Sequence, residues 1–394
     1  MSQGQRIIHL PRPSRLSQVL SARRRSLDIE IDTVGEILNR YGLEMTRPPR
    51  NLPVGRRNRN LTVETNAGKK LLKGYRPKWQ VGTVRYAHSI LSRLAQVDFP
   101  APRLVLASDG TDLVNLAGDY YTLFDFVDGT NYSGNFLVRA HRKKLMALAG
   151  STLARFHRKL EGFVPEGHHH MGFGAYTGNR WRDMAWHAAK VDELKEKSKE
   201  LVGPEERIHA EWLIQNCDQI LEKIIRLDEE LSGAPLPRLV IHGDYGLHNL
   251  LFQKDGTITP VDFELARLEW RLSDLVSCLS RYRYGKHSEV VYDFESMRWF
   301  MEDYQAVYPL SADEWQLFPQ VWRFYKAQGA VQYWNSYFLT AGPVRKLRSA
   351  RDAMTQVDWV QQYPEGLLAL NTRPAARVFT GSTKLRASDL SEPG

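Results

Sequence analysis

The sequence predicts an α+β protein in two parts, a small mainly β N-terminal part and a larger mainly helical C-terminal part. Three observations point there. The chain has 394 residues, 42% hydrophobic and 25% charged, a globular composition that suits two domains at roughly 150 residues each. Up to Val127, period-two alternation and turn residues dominate. Beyond Asp128-Gly129 the apolar residues recur at helical spacing.

Composition also excludes classes. No window approaches the roughly 18 uninterrupted apolar residues of a membrane span, and the start lacks an apolar signal region, so a soluble, cytoplasmic chain is expected. Cys217 and Cys278 are the only cysteines. They are far apart without a Cys-x-x-Cys pair, which removes disulfide and cysteine-rich zinc scaffolds and leaves two buried thiols. The formal charge is +9, but the first 60 residues hold twelve Arg against five carboxylates. The rest is nearly neutral. Residues 1–27 are therefore expected to be a disordered basic tail. Three uses fit it: a solvated tail, an arm for an anionic partner, or an organellar presequence.

Along the chain, Ile31, Val34, Ile37 and Leu38 predict a short helix ending near Gly42. Leu61 to Thr65 alternates, Asn66-Ala67-Gly68 turns, and Lys69 to Tyr75 returns as a second strand. Val81 to Ala95 reads as a helix stopped by Pro100 and Pro102; Arg103 to Ala107 is a strand, and Tyr120 to Val127 an apolar run suited to a buried strand. In the second part, Leu145, Ala149, Phe156 and Leu160 mark one helix face and Leu213, Cys217, Ile220 and Ile224 another. Arg238 to Ile241, Asn249 to Gln253 and Thr257 to Asp262 are strand-like, and residues 272 to 363 return to helices rich in Trp and Tyr. Asn371 to Gly394 is expected to fray. The divisions predicted are 28–128, 129–365 and a tail, 366–394.

The chemistry concentrates in Leu239-Val-Ile-His-Gly-Asp-Tyr-Gly-Leu-His-Asn-Leu-Leu-Phe252 and Pro260-Val-Asp-Phe-Glu-Leu-Ala266. Asp244 stands on a loop, Asn249 follows five residues later, and Asp262 ends the next hairpin. Phosphoryl transfer from a nucleotide requires a carboxylate that orients an attacking hydroxyl and accepts its proton. It also requires an amide oxygen and a second carboxylate that hold magnesium against phosphates. The Asp244 to Asn249 spacing equals that of the kinase loop H-R-D-L-x-x-x-N. No G-x-x-x-x-G-K-[ST], G-x-S-x-G or H-E-x-x-H is present, which removes the P-loop, serine hydrolase and zincin readings.

His242-Gly-Asp244 with Asn249 and Val261-Asp262-Phe263 resembles the aminoglycoside phosphotransferase and choline kinase superfamily, whose loop has Gly where protein kinases have Arg. Leu153-Ala-Arg-Phe-His157 resembles the helix before the catalytic segment, and Arg271-Leu-Ser-Asp274-Leu275 the Asp-Leu signature after the metal strand. The match spans roughly residues 30 to 340. It implies a two-lobed protein-kinase-like fold, a mainly β N-lobe with one helix and a mainly α C-lobe, with ATP in the cleft. It implies Asp244 and Asn249 as catalytic, Asn249 and Asp262 toward Mg2+, and Lys73 toward the α- and β-phosphates; Glu264, where the family often has another carboxylate or Gly, reads either as a further Mg2+ ligand or as structural. The segment Gly55-Arg-Arg-Asn-Arg-Asn60 stands where the family places its nucleotide loop, which implicates Asn58 and Asn60 and leaves Arg56, Arg57 and Arg59 available to phosphates. Its other reading is a polar linker. Asp125 C=O and Val127 N–H are the expected adenine contacts. Lys69 and Lys70, at the turn, are expected to be solvated.

The implied acceptor is a small molecule with a hydroxyl: an amino alcohol, amino sugar or sugar. Gln332-Tyr-Trp-Asn-Ser336 resembles the homoserine kinase branch. Two departures stand out. Residues 77 to 97 contain no Asp or Glu to pair with Lys73, which leaves another carboxylate, His88 as its orienting partner, or a weakened N-lobe site, and the nucleotide loop has a single Gly. These keep a nucleotide-binding pseudokinase open, as well as a spore-coat-like kinase acting on protein; nucleic acid as the partner of the arginine head is the least supported reading. His168-His169-His170 reads as a surface loop rather than a metal site. Trp299, Trp315, Trp322, Trp334 and Trp359 read as helix packing rather than a cation pocket. Glu302, Asp303 and Glu314 read either as exposed helix charges or as substrate-site charge. His157 and His248 read as structural neighbours of the loop.

Overall fold

The computed structural model describes residues 29–52, 58–75, 81–132, 139–167, 169–171, 174–175, 184–201, 203–284, 291–339 and 342–371. It forms two compact units, residues 1–79 with 103–126, and residues 80–102 with 127–394. The arginine head to residue 27, Gly55, Arg56 and Arg57 of the nucleotide loop, His168, and the tail beyond 371 lie outside the described residues.

The first unit is a sheet covered by one helix. Helix α1 (Ile31–Arg40) buries Val34, Ile37 and Leu38, the i, i+3, i+4 stripe that the sequence presents. Strands β1 (Met45–Asn51), β2 (Arg59–Thr65), β3 (Gly68–Tyr75), β4 (Leu104–Val105), β5 (Val114–Leu116) and β6 (Asp119–Asp125) form one antiparallel sheet in the order β1-β2-β3-β6-β4, with β5 also on β6. The row Leu61, Leu72 and Leu123 is in direct register and belongs to the buried cluster that includes α1. Strand β1 went unread in the sequence because it contains Pro48 and Pro49. Register shifts between Met45, Arg47 and Arg50 absorb them at a sheet edge, where a missing N–H is tolerated.

The second unit begins with α2 (Val81–Gln96). Sequence order grouped this helix with the sheet. Its Tyr86 hydroxyl instead accepts from Leu268 N at 3.1 Å, a partner 182 residues away. Next come α3 (Arg139–Lys159), the short pair β7 (His170–Met171) and β8 (Gly174–Ala175), α4 (Met184–Ser198) and α5 (Pro204–Glu230). Strands β9 (Arg238–Ile241), β10 (Leu250–Phe252), β11 (Ile258–Pro260) and β12 (Arg267–Trp270) follow, then α6 (Arg271–Leu279), β13 (Arg283–Tyr284) and β14 (Val291–Tyr292). Helices α7 (Phe294–Val307), α8 (Ala312–Leu339), α9 (Arg345–Gln362) and α10 (Pro364–Leu368) complete it. No helix of the described residues is long and apolar enough to cross a membrane.

Close packing of α3 on α7 is set by Gly150, where a Cβ would stand 2.1 Å from the Phe300 carbonyl oxygen. Trp322 and Trp334 are fully buried and Trp299 and Trp315 nearly so, which agrees with helix packing. Cys217 and Cys278 are free buried thiols, and burial pushes the Cys278 thiol up to about 12. Glu314 is a correction: it is fully buried and bonds the Arg271 guanidinium with both oxygens, so it contributes no charge to an exposed face. His169 is another. It is buried, its Nε2 meets the Glu264 carbonyl at 3.2 Å, and its ring lies 5.5 Å from that of Tyr86.

Candidate active site

Two hairpin-like pairings place the motif. Strand β9 pairs with β12, Ile241 opposite Arg267, and β10 pairs with β11, Leu250 opposite Pro260. The sequence indicated β10 and β11; the β12 partner of β9 lies 26 residues on and carries no local signal. Residues 242 to 249 bridge the two pairs. Gly243 has φ +77, and a Cβ there would stand 2.2 Å from the Leu265 carbonyl oxygen. Only glycine fits this crossing.

The loop is pinned from beneath by Asp274, at the start of α6. Its Oδ2 accepts from His242 N at 2.6 Å and its Oδ1 from Gly243 N at 2.8 Å. Oδ2 also meets His157 Nε2 at 3.2 Å, and His157 Nδ1 meets the Tyr304 hydroxyl at 2.8 Å. An acceptor-only carboxylate assigns the proton to Nε2, so Nδ1 accepts from Tyr304. Burial drives the His157 ring below its ordinary value, against the opposing pull of Asp274. Burial also raises the Asp274 carboxyl, but the His157 hydrogen bond and charge outweigh it, and the group is held below the usual carboxylate range.

The His242 ring links the two chemical segments. Its Nε2 donates to Val261 O at 3.0 Å, and its Nδ1 accepts from Asp244 N at 3.4 Å. Val261 N in turn donates to Asn249 O at 2.9 Å. Asn249 and Asp262 are thus separated by one residue across a hydrogen-bonded pair. Asn249 Nδ2 donates to Asp244 O at 2.9 Å and to Asp244 Oδ2 at 3.3 Å. With its amide nitrogen so engaged, the Asn249 Oδ1 is the atom left to face a cation. Asp262 is exposed and sits at φ 67, ψ 61, a left-handed conformation that costs a non-glycine residue about 1–2 kcal/mol. Such strain at a strand end aims one carboxylate. Magnesium takes oxygen ligands and only one or two carboxylates with substrate phosphates, and an amide oxygen beside an exposed carboxylate fits that. Among the described residues there is no cluster of three or more His, Cys, Asp or Glu for a metal cage. The Glu264 side chain is half-buried on the turn that follows.

Asp244 Oδ1 forms an ion pair with Arg281 Nη2 and lies 3.5 Å from His248 Nε2. Burial alone would raise this carboxyl. The His248 hydrogen bond and the Arg281 guanidinium outweigh it and hold Asp244 well below the usual carboxylate range. Sequence reasoning missed three contributors: His242 and Arg281, and His248 as a direct neighbour of the carboxylate. Arg281 carried no signal in the sequence: it stands in the turn just past the end of α6, where only the tertiary fold brings it to Asp244. The loop is further held by Asn131, whose Nδ2 donates to Leu247 O, His248 O and Leu250 O at 3.1, 2.8 and 3.3 Å.

In the first unit, direct register places Asn60 beside Lys73 and Lys73 beside Thr122, on the face opposite the Leu61–Leu72–Leu123 row. Asn58 is buried at the start of β2. Arg59 is committed to Asp119 at 2.6 Å rather than left to phosphates. Lys70 is largely covered and pairs with Asp125 at 2.6 Å, and Lys69 Nζ lies 3.7 Å from the Phe126 ring centre. The expectation of solvated lysines fails for Lys70 because β6 continues to Asp125 and supplies the counter-ion. Asp125 N donates to Arg103 O at 3.0 Å, so its amide is used in the sheet. Val127, the first residue of the second unit after the break, is half-buried.

A family model described as Phosphotransferase enzyme family matches residues 49–310. Curated relatives include a homoserine kinase of Rhodospirillum rubrum, 24% identical over 293 residues, covering 74% of this chain and 81% of the relative. A homoserine kinase of Sinorhizobium fredii is 22% identical over 292 residues, covering 74% and 80%. Among solved structures, a microcompartment-associated aminopropanol kinase has a TM-score of 0.59 at 17% identity, covering 87% of this chain and 100% of its own. An amicoumacin kinase in complex with AMP-PNP and Ca2+ has 0.57 at 13%, covering 90% and 97%. The chain belongs to the phosphotransferase enzyme family, with the protein-kinase-like fold, and is a phosphotransferase with an alcohol group as acceptor.

Proposed function

We propose that the chain is an ATP-dependent kinase that phosphorylates the hydroxyl of a small molecule. The observation that supports it most is the loop itself. Asp244 is ionised and braced, Asn249 is bonded to it by its amide nitrogen, and Asp262 adjoins Asn249 through Val261. Bound ATP supplies the γ-phosphoryl group, and Mg2+ would be held by Asn249 Oδ1 and Asp262, with Glu264 as a further candidate ligand. Asp244 orients the acceptor hydroxyl and accepts its proton as the oxygen attacks. Lys73, Asn58 and Asn60 are the candidates for the phosphates, and Asp125 C=O with Val127 N–H for the base. The curated relatives are homoserine kinases, which makes L-homoserine the first acceptor to try.

The test is phosphate transfer from ATP in the presence of magnesium to a panel of amino alcohols, amino sugars and sugars. Asp244→Asn is expected to lower kcat by about 10²–10⁴. A near wild-type rate in that variant sinks the assignment.

A further inference from the structure

The second unit resumes at Val127, and residues 129–132 then run along the outer edge of β10. Asn249 O takes its bond from Val261 N, so alternation turns the backbone groups of Leu250 and Phe252 away from β11. Thr130 meets Phe252 on that side, Thr130 N donating to Phe252 O at 2.9 Å and Phe252 N to Thr130 O at 3.0 Å. The Tyr132 ring packs edge-on to Phe252, its centre 5.3 Å away. Asn131 stands between these anchors. Its amide nitrogen faces Leu247 O at 3.1 Å, His248 O at 2.8 Å and Leu250 O at 3.3 Å. An amide oxygen could face none of them, which fixes the orientation of the side chain.

Both peptide planes at Asn249 are thereby anchored. The one before it is held through His248 O by Asn131, and the one after it through Asn249 O by Val261 N and through Leu250 N on Leu247 O. The Asn249 Nδ2 is spent on Asp244, so a fixed backbone aims the Oδ1. Magnesium demands near-ideal octahedral geometry, and the groups behind a ligand set the affinity of a metal site. We infer that Asn131 is a positioning residue for the metal site, holding the turn so that Asn249 Oδ1 meets the cation. This rests on the kinase reading above for the metal, and on the Asn131 bonds alone for the positioning. Asn131 is exposed, so its loss should cost metal affinity more than fold stability.

Two readouts test it. Full-length protein is titrated with Mn2+ in the presence of AMP-PNP, the free ion being followed by electron paramagnetic resonance, and phosphate transfer from ATP is measured against free Mg2+. Asn131→Ala and Asn131→Asp should weaken Mn2+ binding about 10-fold and raise the half-saturating Mg2+ by a similar factor, with KM for the acceptor within about twofold of wild type. Asn131→Gln keeps the amide nitrogen and should recover most of the affinity. In an Asn249→Ala background, Asn131→Ala should add no further loss of Mn2+ affinity, because both act through one ligand. Mn2+ binding unchanged in the Ala and Asp variants, a loss that Asn131→Gln does not recover, or a full additional loss on top of Asn249→Ala overturns the inference. If wild type binds Mn2+ but transfers no phosphate to any acceptor, the kinase reading fails and the Mn2+ comparison decides alone. If wild type binds no Mn2+, the metal site and the role of Asn131 fall together.

Discussion

Replacing Asp274 by Asn keeps the shape and removes the charge, which isolates what the carboxylate does. Its two oxygens serve three donors, His242 N, Gly243 N and His157 Nε2. An amide offers one oxygen. If the nitrogen takes the Oδ1 place it faces Gly243 N–H; in the Oδ2 place it faces His242 N–H. Either way one buried backbone donor loses its acceptor, at about 1–3 kcal/mol. The other backbone bond falls from a charge-assisted value of about 1.5–3 kcal/mol to about 0.5–1.5. Asp274 is fully buried, so solvent compensates neither loss, and the expected total is about 2–4 kcal/mol. That corresponds to a Tm lower by roughly 5 °C. Asp244 stands one residue beyond the second anchored amide, and a displacement of about 1 Å there should lower kcat about 10²-fold. Thermal unfolding of the whole chain and steady-state kinetics with a matched acceptor read both. A variant with Tm within about 1 °C and kcat within about twofold of wild type would refute the claim that Asp274 holds the loop.

Gly243→Ala should destabilise by about 2–5 kcal/mol, from a positive-φ penalty of about 1–2 and overpacking of about 1–3 against the Leu265 carbonyl; an unchanged melting temperature contradicts the crossing described for this glycine. The His157 ring is held below its ordinary value when folded, whereas the unfolded ring protonates near about 6.5. Its contribution to stability is therefore complete above that pH and is lost as pH falls from there toward the folded value. His157→Gln should flatten the fall in Tm between about pH 7 and 5; a fall equal to wild type assigns the acid limb to another group.

Much of this protein was legible as pattern. The α1 stripe, the β2–β3 hairpin with its Asn-Ala-Gly turn, and the spacing of Asp244, Asn249 and Asp262 all depend on neighbours within a few residues, where backbone geometry fixes what a sequence can do. Strand β1 was hidden because its prolines contradict strand propensity and only its edge position reconciles them. The partner of β9 was hidden because cross-strand pairing over 26 residues leaves no local trace. Lys70 looked like a turn lysine until β6 brought Asp125 to it.

The sequence by itself determined the inventory: which groups could perform phosphoryl transfer, in what order, and on a short loop before a hairpin. Only the tertiary structure decided their state. It buries Asp274 beneath two backbone amides, turns the His242 ring between Asp244 and Val261, and brings Arg281 onto Asp244. Charge, burial and hydrogen bonding act through space, and the residues involved lie on separate elements between His157 and Tyr304. Their distances are set by how α3, α6, α7 and α8 pack, which sequence spacing does not encode.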